Sequence, residues 1–207
     1  MSMVYLDVSS RSSEMHPMPP KFNKQWNYHT QLVHAGERLP QPAGKPTSTP
    51  LYTSTTYYHT DMQAFDKALA GDGYAYGRNG NPTNIALEVA TTAAEAGAGA
   101  LTTASGMAAI YTAILAAGMS LGRPIKHIIA ARDMYGATTV LLRDFMAPYG
   151  VTIHTCDLTN LAELDALIAT QTPDIIYAEQ LSNPLFRVVD MAAIAQRAHA
   201  CGARCVV

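Results

Sequence analysis

The chain is predicted to be an α/β fold built on a largely parallel sheet with helices on both faces, and two observations carry that prediction. Short β-like runs at 100–103, 127–131, 151–156, 174–178 and 204–207 alternate with helical patterns at 107–117, 138–148, 161–169 and 191–200. Strands taking turns with helices are what parallel crossover connections produce. The composition agrees: 207 residues, 48% hydrophobic and only 14% charged, suffice for one sizeable core.

The elements follow in chain order. Residues 1–25 are rich in Ser, Met and Pro with little periodicity, and a disordered tail is expected there. They hold no apolar core of signal-peptide length, and no run in the chain approaches a membrane span. Residues 26–80 form an N-terminal arm followed by a loop. The arm carries Trp26, Tyr28, Leu32 and Val33, a Pro/Gly-rich bend, and the β-branched run 49–57. So much apolar surface without a compact local fold fits an arm laid on a neighbouring subunit or, equally, a folded-back edge segment. Within this region 61–70 reads as a short helix with Asp61 at its start and Met62, Phe65 and Leu69 on one side, closed by Gly71-Asp72-Gly73. The loop 74–83 is dense in glycine, asparagine and aromatic hydroxyls, and Thr83 is placed to cap the next helix.

Residues 81–207 read as the first part of a larger domain. The stretch Ala104-Ser105-Gly106-Met107 breaks a β-run and opens an Ala/Ile/Leu helix, which puts backbone N–H groups at a helix N-terminus, an anion-binding geometry. Ligands of parallel sheets collect beyond the carboxyl ends of the strands. That rule selects Ser105-Gly106, Met134-Tyr135-Gly136 and 179–184 as three turns on one rim. The chain closes on Cys205-Val206-Val207 within what reads as a core strand, so a longer parent domain is expected.

The formal charge of -2 supplies no basic field for nucleic acid or an acidic membrane surface, and a small-molecule partner is favoured. Cys156, Cys201 and Cys205 show no metal or redox spacing and read as apolar filler in a reduced, cytoplasmic setting; no metal site is expected.

Four segments together resemble the Cys/Met metabolism family of pyridoxal-phosphate enzymes, which includes cystathionine γ-synthases and γ-lyases, methionine γ-lyases and homoserine sulfhydrylases. They are 76–83 (Tyr-Gly-Arg-Asn-Gly-Asn-Pro-Thr), 105–110 (Ser-Gly-Met-Ala-Ala-Ile), 135–138 (Tyr-Gly-Ala-Thr) and 179–184 (Glu-Gln-Leu-Ser-Asn-Pro). Their order and spacing carry the likeness from about His29 to the last residue. The resemblance implies a type I aminotransferase-like fold, here a truncated, mostly parallel sheet with flanking helices and an extended N-terminal arm. It implies pyridoxal 5'-phosphate as cofactor, an amino-acid substrate, and a homo-oligomer of dimers that share active sites, expected as a tetramer.

The resemblance also assigns roles. Gly106 and Met107 would bind the cofactor phosphate through backbone N–H groups, with Ser105 shaping the turn. Tyr76 and Arg78 would reach the phosphate of the adjacent subunit, where a guanidinium fork suits phosphate oxygens. Tyr135 would stack on the cofactor ring and serve as the catalytic acid or base. Asn183 would lie near the ring oxygen and the substrate carboxylate, and Glu179 joins the cofactor set at the same rim, with bonding of strand-end backbone as its other role. The family's lysine that holds the cofactor aldehyde, and its aspartate at the ring nitrogen, have no counterpart up to Val207. This chain alone is therefore expected to be inactive.

Within the family the signals conflict. Ala137 and Val140 stand where some lyases carry cysteine and many cystathionine enzymes carry arginine, whereas 182–190 looks more like the synthases. The expected activity is thus γ-elimination or γ-replacement on sulfur amino acids or activated homoserine. The alternatives are an inactive fragment acting as an assembly partner and, more weakly, a dinucleotide-binding protein, for which the spaced glycine triplet is missing.

Overall fold

The computed structural model describes Asn27, His29, Thr30 and residues 46–207. The expected tail and most of the arm before residue 46 lie outside the described residues. Two compact units divide the chain, Met1–Thr83 and Asn84–Val207.

In the first unit, α1 (Met62–Leu69) starts where expected: Asp61 is extended and its carboxylate accepts the Ala64 N–H at 2.8 Å, satisfying one orphan amide of the first turn. The arm segment before α1 pairs with the loop after it. Thr56 and Tyr76 form an antiparallel bridge, Tyr57 N–H donates to Ala75 O at 3.2 Å, and Gly77 N–H donates to Thr55 O at 2.6 Å. A Cβ on Gly77 would press on the carbonyls of Ser54 and Thr55 at 3.4 Å, so this close approach is one reason for glycine there. Asn81 completes the clamp by donating to Tyr52 O. Asn81, not Thr83, also caps α2 (Pro82–Ala94): its side-chain oxygen accepts Thr83 N–H at 2.8 Å, and Pro82 occupies the first helical position, which needs no N–H. The Thr83 hydroxyl instead accepts Tyr52 N–H at 2.8 Å.

In the second unit the elements after α2 are α3 (Gly106–Met119), β1 (His127–Ala131), α4 (Gly136–Val140), β2 (Thr152–Cys156), α5 (Leu161–Gln171), β3 (Ile175–Tyr177), α6 (Met191–Ala200) and β4 (Arg204–Val206). The strands form one parallel sheet in the order β2-β1-β3-β4, with Ile129 beside His154, Ile128 beside Ile175 and Ile176 beside Cys205. Ile128, Ile129 and Ala130 are wholly buried, as are Ile175 and Ile176. Successive strand residues face opposite sides, so both faces of the sheet are covered. Each of these isoleucine side chains contributes about 1.5–3 kcal/mol of apolar burial.

Two expectations are corrected. Residues 100–103 are not a strand, because among the described residues no strand pairs with them; the Thr102 N–H and hydroxyl are both taken by the Glu88 carboxylate, at 2.9 and 3.0 Å. The single helix expected over 138–148 is broken. After α4 the chain widens into a π-helical turn over Leu141–Met146 and tightens to a 3₁₀ turn over Ala147–Tyr149, where Pro148 has no N–H for a helical bond, and Gly150 ends it at φ 88°. Among the described residues no helix is long and apolar enough to cross a membrane.

Candidate functional site

All four strands are parallel, so their carboxyl ends share one rim, and the loops after β1, β2 and β3 meet there. The first loop is held by a carboxylate: both oxygens of Glu179, just past β3, accept the Tyr135 N–H at 3.0 and 3.1 Å. The Tyr177 hydroxyl donates to the same carboxylate at 3.3 Å, and burial pushes this phenol up to about 12, so it remains a proton donor. The Tyr135 side chain, in contrast, is 48% exposed. Tyr135 stands at the start of α4 with its backbone fixed and its side chain half-exposed.

Helix α3 brings the expected anion cradle to the same rim. Its far end is pinned at the opposite edge of the sheet, where Arg204, the first residue of β4, donates to the Ser120 hydroxyl at 2.8 Å. Fourteen residues at about 1.5 Å each carry the helix back across the sheet. It packs against α4, which follows Tyr135. Ser105 is the N-cap, in extended conformation: its hydroxyl accepts Ala108 N–H at 3.2 Å and its carbonyl accepts Ala109 N–H at 3.0 Å. The amides of Gly106 and Met107 have no partner among the described residues and face outward at the positive end of the helix dipole. A Cβ built on Gly106 would meet nothing within 4 Å, so the approach to these amides is open.

The third loop carries Asn183, which is exposed in a turn closed by Ser182 N–H to Arg187 O (3.0 Å), Phe186 N–H to Ser182 O (2.9 Å) and Arg187 N–H to the Ser182 hydroxyl (3.0 Å). Thus Ser105, Gly106, Met107, Tyr135, Glu179 and Asn183 belong to one rim of the second unit. Tyr76 and Arg78 belong to the first, where the Arg78 guanidinium lies 5.2 Å from the Tyr76 ring centroid.

Sequence reasoning missed a group of charges at this rim. The Arg187 guanidinium donates to Asp133 and to Asp157 at 2.6 Å each and to the Thr159 hydroxyl at 2.7 Å. Asp157 is held down to about 2 by hydrogen bonds from Thr159 and Arg187. The available signal was a lone acid just past each of two strands, with one arginine in the turn after the third.

These features fit a phosphorylated planar ring: outward amides over an open glycine, a half-exposed tyrosine and an exposed amide side chain on one lip. Comparison with known proteins gives the same answer, since residues 29–207 match the family model described as Cys/Met metabolism PLP-dependent enzyme. The chain belongs to this family. A cystathionine gamma-synthase of Mycobacterium tuberculosis is 37% identical over 169 residues, covering 81% of this chain and 40% of the relative. An L-methionine gamma-lyase of Pseudomonas deceptionensis is 34% identical, covering 86% and 43%. Among solved structures, a putative O-acetylhomoserine (thiol)-lyase of Campylobacter jejuni, with pyridoxyl-lysine monophosphate at its position 205, is 25% identical with a TM-score of 0.63, covering 76% of this chain and 38% of that one. The chain therefore spans less than half the length of these Cys/Met family relatives.

Proposed function

We propose that the protein binds pyridoxal 5'-phosphate at the rim of the second unit and takes part in γ-elimination or γ-replacement on sulfur amino acids or activated homoserine. The observation that carries this reading is that α3, which opens on free amides, packs against α4, which follows the fixed Tyr135 loop. When bound, the cofactor supplies an electron-withdrawing ring that accepts carbanion electrons. The chain's own residues then have separate tasks. Gly106 and Met107 N–H groups bind the phosphate, helped by the helix dipole. The Tyr135 ring covers one face of the cofactor, and its hydroxyl holds or releases a proton at the substrate. Glu179 fixes Tyr135 from behind through the backbone, a positioning task, and Asn183 orients the substrate carboxylate or ring oxygen from the third loop.

Tyr76 and Arg78 are proposed to serve the phosphate of a neighbouring copy, which makes the working form a homo-oligomer, and the setting is proposed to be cytoplasmic. Among the described residues the lysines are Lys67 in α1 and Lys126, which precedes β1 at the edge of the sheet opposite the rim. Lys126 is not placed to hold the cofactor aldehyde, and in this reading the 207 residues alone bind without turning over.

Cystathionine, L-methionine, and O-succinylhomoserine with cysteine are the substrates to offer to the complete protein, with thiol, keto-acid and cystathionine formation followed. Turnover of at least one is the expected result. Saturation with cofactor and no reaction on any of them would refute the assignment.

A further inference from the structure

We propose that Arg187 is the positioning residue of this rim: one guanidinium sets the spacing between the loop that carries Tyr135 and the turn that carries Asn183. This rests on the function proposed above and extends it to a residue that touches neither ring nor phosphate. The geometry is that of a hub. Arg187 reaches Asp133, two residues before Tyr135 on the β1 loop, and Asp157 and Thr159 on the β2 loop, while its own backbone N–H and C=O close the turn around Asn183 through Ser182. Three strand-end loops are thereby tied to one side chain, and a fourth bond, from Tyr135 N–H to Glu179, ties the β1 loop to β3.

A single exposed ion pair contributes little, because solvent screens it and two long side chains must be ordered. Here the Arg187 side chain is 40% exposed, but those of its partners Asp133 and Asp157 are only 24% and 21% exposed. Its fork satisfies two carboxylates and a hydroxyl at once in a fixed plane, which a lysine ammonium cannot reproduce. Both carboxylates bond the same guanidinium. The single positive charge is shared by both carboxylates, so its removal leaves them without their common partner and loosens the β1 and β2 loops from the turn.

The test uses amide hydrogen exchange of the cofactor-free protein together with its affinity for pyridoxal 5'-phosphate. Arg187→Met is expected to speed exchange in 132–135 and 182–187 by about tenfold or more. Exchange in β1 and α5 stays unchanged, cofactor affinity falls by a similar factor, and Arg187→Lys restores part of both. Asp133→Asn and Asp157→Asn provide the same readout from the other side of the hub and serve if Arg187→Met does not fold. Unchanged exchange at both segments, or an even loss of protection across the whole unit in every variant, would overturn the positioning role. Failure of the unaltered protein to bind pyridoxal phosphate would instead remove the proposed function and leave the exchange result standing.

Discussion

Glu179 grips the backbone of Tyr135 with both carboxylate oxygens, at 3.0 and 3.1 Å, joining the end of β3 to the loop after β1. A charged acceptor on a backbone amide is among the stronger protein hydrogen bonds, about 1.5–3 kcal/mol. Glu179→Ala is therefore expected to weaken pyridoxal-phosphate binding by roughly tenfold or more and to speed exchange at the Tyr135 amide. Glu179→Gln, which keeps one acceptor, should lose less. Equal behaviour of the two variants and the unaltered protein would show that this bond positions nothing.

The acid limb of stability should report Asp157. Its carboxyl sits at about 2 in the folded chain against an ordinary 3.8, because Thr159 and Arg187 bond its charged form. A depressed carboxylate stabilises the fold fully above its unfolded value, and that contribution disappears as pH falls through the folded value. Asp174 acts in the same direction: burial opposes its ionisation, but the amides of Lys126 and His127 and the Arg123 guanidinium outweigh it. Denaturant titrations from pH 7 to pH 2 should show stability dropping between about 4 and 2. Asp157→Asn should be less stable at pH 7 and flatter across that window.

Thiol labelling separates the three cysteines. Burial raises the Cys156 thiol to about 11, with the nearby Glu163 charge adding to the effect, and burial raises Cys205 as well. Cys201 is exposed. Iodoacetamide at pH 8 should modify Cys201 first and reach Cys156 only on unfolding, since the thiolate is the reacting form. Early modification of Cys156, read by peptide mass, would contradict the packing of β2.

Much of the fold was legible in the sequence because it follows from periodicity. Strands β1 to β4 and helices α3, α5 and α6 fall where alternating β-like and helical runs put them, and the Asp61 and Ser105 caps follow from short oxygen side chains ahead of helical runs. The run 100–103 misled because a β-like composition says nothing about a partner, and here Glu88 claims the Thr102 amide. The helix 138–148 misled because its apolar pattern runs on through the π turn at Leu141–Met146 and the 3₁₀ turn that holds Pro148. At the site, the glycine and tyrosine turns were visible as turn chemistry on a common rim. Arg187 was not, since its meaning lies in two acids 54 and 30 residues away that only the fold brings together.

Gly118 tests the seat of α3. A Cβ there would lie well inside van der Waals contact with the Ile125 side chain. Overpacking of this kind costs about 1–3 kcal/mol, more than the helix propensity alanine would gain. Gly118→Ala should lower stability, and Ile125→Ala should be less harmful in its company than alone. Additive losses in the double-mutant cycle would show that the two sites do not touch.

The most direct measurement compares equilibrium binding of pyridoxal 5'-phosphate with that of pyridoxal, which lacks the phosphate, to the unaltered protein and to Gly106→Val. The expected result is a preference of at least about tenfold for the phosphorylated form, abolished by Gly106→Val while the melting temperature holds, because the new side chain fills open space over the amides. Equal affinity for the two compounds, or a preference that survives the valine, would contradict the phosphate cradle at the head of α3.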